Sequence, residues 1–527
     1  ARLKLVWQSE IAKGGGHMTA DNQGGLWMVC GQQMKRFSQQ DGKILQSFML
    51  PKDVVAASVS FDPYQNRLLI PNCGKDLNIL IYTNIFSAPT LTATFGEKGG
   101  IFSKDKYHLQ GQVGPLRFCG PRGVGVDRQG NIYIANQFVS GGRGTILESY
   151  NEKTGKRNWK REGLIFTATA DFDRQNSDFV YSPEKIHRIY LHRKGSRADE
   201  LMACTADPFS FPQDQRCIKG GPFITSTFKR TIQGKDFLFV SDMYGGMLAG
   251  YRFDRKRHGY VGIPFLNVGN GDPDNKRAIT FWNDRNGDGH TQLDELKPIK
   301  EPNQFSMSFF VDQAGNIWRG TRQQGFLFWR MTRLKNGIPQ YATGKLFSLP
   351  EGIDGVKRIW YDAAKDELFL AGFSDEAPDT KDTWWCMGST ITTYNHALQK
   401  MSSGKWQQSQ QPQMKLHIPF HVEDDSKLDY TDAKAFCVEG DYIFVALARY
   451  GCIAVYARNN GKFLGRLQPG PEVKEQSGWA DFNYCIHAKK DKDGTYYIFN
   501  EENAFGKILL YAIKDFRQTK QADIIEK

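Results

Sequence analysis

The sequence predicts an all-β protein, a single β-propeller of four-stranded antiparallel blades. Three observations predict it. One phrase recurs along the chain: an apolar strand ending in Asp, a short Gly/Asn turn, then a strand rich in aromatic and β-branched residues. Most copies are followed by two more strands with a turn such as Asp41-Gly42, Thr154-Gly155 or Asn460-Gly461, where glycine supplies the positive φ of a hairpin. Apolar residues alternate at period two, with almost no 3.6-residue periodicity. One meander cannot bury both its faces, so tandem meanders stack about a shared axis.

The elements follow in order. The clearest copies of the phrase are GPRGVGVDRQGNIYIAN (120–136), HMTADNQGGLWMVCG (17–31) and SMSFFVDQAGNIWRG (306–320). Weaker copies occupy 58–72, 169–182, 358–372 and 485–500, and 225–242 and 433–447 keep the strand pair without the Asp. First strands start near 17, 56, 123, 169, 224, 306, 358, 433 and 483, which makes eight or nine repeat units, with seven blades still open. The last unit has three strands (YCIHAKK, YYIFN, KILLYAI), and the N-terminal LKLVWQS is expected to supply its outer strand and close the ring. On this reading 1–527 is one propeller, with an insert at 270–305 and an insert-rich blade at 374–413.

Composition narrows the class. Lys plus Arg is 69 and Asp plus Glu 57, a net charge of +12, with 40% hydrophobic and 24% charged residues over 527 positions. That is a globular mix and excludes a disordered chain. No apolar run approaches the roughly 18 residues of a membrane span. The nine cysteines form no CxxC, which excludes a zinc ribbon, a thioredoxin site and a c-type haem. Cys204 and Cys217 flank the loop TADPFSFPQDQR and are expected to form a disulfide. The chain begins at Ala1 with no signal peptide, and a leader already removed is the expectation. GxSxG, HExxH and GxxxxGK[ST] are absent, so serine-hydrolase, zincin and P-loop chemistry lack their signals.

Unit 120–136 resembles the NHL repeat: Pro121, Gly123, Val124, Val126, Asp127, Gly130, Asn131, Ile132 and Tyr133 fit its pattern. The resemblance implies a propeller, and the family hosts lactonases, lyases, peptide-amidating enzymes, RNA binders and scaffolds, so it does not select a function.

Residues 282–295 read WNDRNGDGHTQLDE. Asp284, Asn286, Asp288, Gly289 and Glu295 take positions 1, 3, 5, 6 and 12 of a calcium loop. The carbonyl of His290 would be the seventh-position ligand, Gln292 the ninth and Glu295 the bidentate closure. The preceding TFWNDRNG reads as a strand, so the loop is EF-hand-like rather than helix–loop–helix. Calcium is the expected cofactor. Such single loops suit a secreted or periplasmic protein, where free calcium is high.

In propellers, as the resemblance implies, ligands sit where the loops entering first strands and leaving second strands converge. Entering residues are His17 and Arg122. Leaving residues are Asn72, Asn136, Gln137, Asp242, Tyr244, Arg319, Arg322, Asn500 and Glu501. This polar, partly cationic set suits an anionic small molecule or glycan. In a polysaccharide lyase or lactonase-like hydrolase, Arg122 or Arg319 would neutralise a uronate and His17 or Tyr244 would take the adjacent proton. The alternative is a non-enzymatic scaffold or adhesin in a surface or periplasmic complex. A weaker alternative is a quinoprotein dehydrogenase, because SYNEKTGKRNW (149–159) resembles that family's tryptophan-docking repeat. RNA binding is disfavoured, because the basic residues form no dense patch.

Overall fold

A computed structural model describes residues 5–514, except 9–14, 140–143, 164–168, 192, 194–197, 219–220, 270–279, 300–308, 376–385, 419–432, 448–450, 471–483 and 503–506. The described residues are all-β. They form seven four-stranded antiparallel sheets, one of six strands, one of three and a two-stranded hairpin. This is a repeat, propeller-like architecture. Numbered by chain order, sheets 1 to 9 occupy 15–49, 60–95, 121–163, 171–204, 224–298, 309–347, 355–417, 433–467 and 486–513. Each begins at a unit read from the sequence. Sheet 9 has the expected three strands.

The recurring Asp explains why the units that carry it fold locally. Asp127 accepts the backbone N–H groups of Gln129 and Asn131 at 2.9 Å and the Tyr133 hydroxyl at 2.7 Å. Asp62 accepts the N–H of Tyr64 at 2.8 Å and the Arg67 guanidinium at 2.7 Å. The carboxylate thus closes the turn and pins a side chain of the second strand, as an Asx turn does.

Where one ring was expected, the contacts divide the chain into two compact units. One comprises 1–166, 206–212 and 255–261 and holds sheets 1 to 3; the other comprises 167–205, 213–254 and 262–527 and holds sheets 4 to 9. In the three-sheet unit, the first strand of sheet 2 packs between those of sheets 1 and 3. In the six-sheet unit the first strands neighbour one another in series. Sheet 4 meets sheet 5, sheet 6 meets sheet 7, then come 8 and 9, and sheet 9 meets sheet 4 again. Phe228 of sheet 5 packs on Phe310 of sheet 6, and Phe172 of sheet 4 stacks on Phe499 of sheet 9 at 4.6 Å.

Three expectations need correcting. Leu5–Gln8 carries no strand, and the Trp7 indole donates to the Gln39 carbonyl at 3.0 Å on sheet 1, which holds it by a side chain. The segment 270–305 is no separate insert where it is described: Thr280–Asn283 and Leu296–Pro298 extend sheet 5 to six strands. All nine cysteines are thiols, so no disulfide joins Cys204 to Cys217. A buried ion pair closes that loop instead. Arg216 binds Asp214 at 2.6 Å and donates to the Thr205 hydroxyl at 2.8 Å and the Pro183 carbonyl at 3.1 Å.

In the region 374–413, the part 376–385 lies outside the described residues. The Gln/Ser-rich part is anchored: Trp406 packs edge-to-face with Phe326 and Tyr394 and donates to the Ser348 carbonyl at 3.1 Å. Among the described residues no helix is long and apolar enough to cross a membrane.

Candidate functional site

The first strands of five sheets share a bulge at their start. Gly15 pairs with Cys30 but Met18 with Met28; Pro121 pairs with Asn136 but Gly123 with Ala135. Ile224 pairs with Asp242 but Ser226 with Ser241; Val356 pairs with Gly372 but Arg358 with Ala371; Ala433 pairs with Leu447 but Ala435 with Ala446. The residues left over are His17 (with Gly16), Arg122, Thr225, Lys357 and Lys434. A bulge re-aims a side chain at a sheet rim. His17 and Arg122 therefore do occupy a repeat position, and both are exposed in the three-sheet unit. In the six-sheet unit the same position holds Thr225, Lys357 and Lys434, none more than 1% exposed. The sequence reading missed both lysines. Aligning VKRIWYD and AKAFCVE with the entries of the other first strands would have found them.

These lysines share their surroundings with a thiol. Met387 N–H donates to the Ala433 carbonyl at 3.0 Å, which ties Cys386 to the start of sheet 8. Burial pushes the Cys386 thiol up, while the Gly388 N–H and the cations of Lys357, Arg358 and Lys434 pull it down. Arg358 is fully buried, and burial pushes it down to about 10 against Tyr484, Cys386 and Cys485. Aromatic side chains fill the adjoining interior. Phe228 meets Tyr484 at 5.2 Å and Phe310 at 5.6 Å, and Phe310 stacks on Tyr484 at 5.7 Å. The Tyr484 hydroxyl donates to the Ile359 carbonyl at 2.9 Å and accepts its N–H at 3.1 Å. Sheets 5, 6, 7 and 9 thus meet through side chains.

The residues leaving second strands are divided. Asn72 is a buried turn cap, accepting the N–H groups of Val55 at 3.0 Å and Gly74 at 2.8 Å. Asn136 is buried and donates to Glu148 at 3.2 Å, whereas Gln137 is exposed. Asp242 caps its turn by accepting the Met247 N–H at 2.9 Å, and burial pushes its carboxyl up. Arg319 is buried, lies 4.5 Å from the centre of the Phe309 ring and donates to the Gly245 carbonyl at 3.0 Å, next to the exposed Tyr244. Arg322 is half-buried at a positive φ of 56° and exchanges backbone hydrogen bonds with Val356. Asn500 and Glu501 are buried at the rim of sheet 9, and the Asn500 Oδ1 has no partner among the described residues. His17, Asn72, Arg122, Asn136 and Gln137 belong to the three-sheet unit, and the other six to the six-sheet unit.

The calcium-type loop curls as its spacing demands. Asp284, fully buried, accepts the N–H groups of Gly287 at 2.6 Å and Gly289 at 3.1 Å. Glu295, also buried, accepts the Trp282 indole and the Arg285 N–H, both at 2.7 Å. Asp288 accepts the His290 N–H at 2.8 Å, the Gln292 amide at 2.7 Å and the Asn286 amide at 3.1 Å. Burial pushes Asp284 up, and the Glu295 charge adds to this. The Gln292 Oε1 is buried with no partner among the described residues. A hard cation would relieve both conditions, so the donor set fits calcium.

Among the described residues, another group of side chains could hold a metal ion. Glu97, Asp105 and His108, half-buried or exposed in the three-sheet unit, place their ligand atoms within 4.8 Å of one another. The buried Arg117 guanidinium also binds Glu97 at 2.7 Å. The sequence reading did not single out these residues, because their spacing matches no motif.

No protein-family model matches the chain, and no curated protein matches it. Among solved structures, it is similar to a streptogramin B lyase structure at 12% identity, over 69% of this chain and 92% of that one, with a TM-score of 0.19. That overlap is too loose to transfer a residue or an activity.

Proposed function

We propose that the six-sheet unit is a closed six-bladed propeller. It binds an anionic ligand, a carboxylated or sulfated glycan, at the end of its axis where the first strands begin, in a secreted or periplasmic protein braced by calcium. One observation carries this reading: Lys357 and Lys434 fill equivalent bulges at the starts of successive sheets. Cations repeated at one position of successive sheets favour an anion at that end. The return of sheet 9 to sheet 4 supports the ring. The aromatic filling of the interior supports a binding role, as in an adhesin or scaffold, over a channel that houses chemistry. The lyase reading narrows to Tyr244 and Arg319, which lie close together on one unit.

Titration calorimetry with polygalacturonate, a sulfated glycan and a neutral polymer tests this. Binding of either anionic polymer, weakened at least about tenfold in Lys357→Met/Lys434→Met and falling with salt, is expected. Binding that is absent, or unchanged in the double variant, overturns it. Unsaturated-product absorbance that appears with polygalacturonate and disappears in Tyr244→Phe would move the protein to the lyase class.

A further inference from the structure

Sheets 7 and 8 flank a cleft of about 900 Å³, near the upper end of the roughly 300–1,000 Å³ typical of ligand pockets. It lies at the turns joining first to second and third to fourth strands, with walls that include Lys365, Asn395, Asp441 and Asn459. The bulged lysines start the same first strands at their other ends. Gly355–Asp362 rises about 3.3 Å per residue, so the two places are about 20 Å apart.

The cleft is braced from inside. Arg458 of sheet 8, buried, donates to Asp362 at 2.7 Å and Glu367 at 2.8 Å of sheet 7, and to the Gly440 carbonyl at 3.2 Å. Buried pairs of this kind fix geometry more than they stabilise. The two walls are therefore held in register before any ligand arrives, which lowers the ordering cost of binding.

The chemistry of the lining selects an occupant. Lys365 and Arg458 balance Glu367 and Asp441, so the Lys, Arg, Asp and Glu side chains of the lining carry no net charge. The side chains of Asn395, His396, Gln413 and Asn459 make no hydrogen bond to a described residue. Each carboxamide offers two donors and an acceptor oxygen. Met414 and Leu464 add apolar surface between these groups. His396 is held at φ 55° and ψ 36°, a left-handed conformation uncommon for a non-glycine residue, by Asp366, which accepts the Leu398 N–H at 2.7 Å. An uncharged ligand whose groups both donate and accept, on a frame with C–H faces, matches this lining. A charged glycan does not, and neither does an apolar peptide.

We infer that this cleft is a second ligand site, separate from the axis end, and that it takes an uncharged oligosaccharide. Calorimetry on the full chain with cellohexaose, maltohexaose and mannohexaose tests it, with trigalacturonate as the charged control. Saturable binding of at least one neutral hexasaccharide is expected, weakened about five- to tenfold in Asn395→Ala and in Asn459→Ala. Both residues lie at the cleft surface, so the thermal midpoints of the variants should match that of the parent. Excess polygalacturonate should leave hexasaccharide binding in place, and this holds whether or not the axis end binds anions. Three results overturn the inference: no saturable binding of any of the three, binding that survives both substitutions, or trigalacturonate binding that is lost in Asn395→Ala.

Discussion

The Trp318 indole donates to the Asp312 carboxylate at 2.8 Å, and both side chains are fully buried. Asp312 also accepts the N–H groups of Ala314 and Asn316 at 2.9 Å. Burial pushes this carboxyl up, and the hydrogen bonds oppose that. Asp312 therefore does for sheet 6 what Asp127 does for sheet 3. Replacing it with Ala strands several buried donors at once. Asp312→Ala should cost about 2–4 kcal/mol in urea unfolding, and Asp312→Asn, which keeps an acceptor, clearly less. Equal small losses below about 1 kcal/mol would show that the carboxylate does not organise the turn.

The same residues show how far the sequence can be read. Asp and the Gly/Asn turn are local signals, and all nine sheets begin where the phrase places them. The grouping into three and six sheets left no local trace, because it depends on which sheet meets which. Cys204 and Cys217 bracket their loop as a bridge would, but a buried Arg216–Asp214 pair does the closing. Side-chain chemistry at that spacing could not choose between them. His17 and Arg122 were legible as strand entries. Lys357 and Lys434 were not, since a bulge is a feature of register and a lysine beside a strand reads as solvated surface.

Arg216 is the residue to test in that loop. It is fully buried, its guanidinium lies 3.6 Å from the centre of the Tyr251 ring, and Tyr251 donates to Asp214 at 2.7 Å. Arg216→Met leaves Asp214 as an uncompensated buried charge and should cost about 3–5 kcal/mol. Cys217→Ser should cost far less, and a reductant should not move the melting temperature. A large shift on reduction, or fewer than nine titratable thiols in denatured protein, would restore the disulfide.

Calcium should stabilise the native state by mass action, by about 2.7 kcal/mol at a hundredfold excess over Kd. The loop is coupled to its surroundings: Arg252 donates to the Gly287 carbonyl at 2.6 Å and Asn283 to the Pro339 carbonyl at 3.1 Å. EGTA should therefore lower the melting temperature by a few degrees, and added calcium should restore it. Asp284→Ala and Glu295→Gln should respond to neither. An unchanged midpoint in the parent protein would remove the ion from the account.

His487 gives the pH dependence a location. It is 2% exposed, and burial pushes it below its ordinary 6.5, with Arg230 and Arg174 acting in the same sense and Asp171 opposing. The folded state then binds fewer protons than the unfolded state between that lowered value and 6.5. Stability from this group is complete above about pH 6.5 and is lost as pH falls below it, at no more than about 1.4 kcal/mol per pH unit. Asp171 is held below its ordinary 3.8, so its own loss falls in a separate, more acidic window. Urea midpoints at pH 7.5, 6.5 and 5.5 for the parent protein and His487→Gln isolate the histidine, since every other titrating group is common to both. The parent should lose more stability than the variant between pH 6.5 and 5.5, while the two should differ by a constant above 6.5. Parallel curves through the whole range would mean that His487 keeps the same proton affinity folded and unfolded, and that burial beside Phe228 and Asp171 does not hold it neutral.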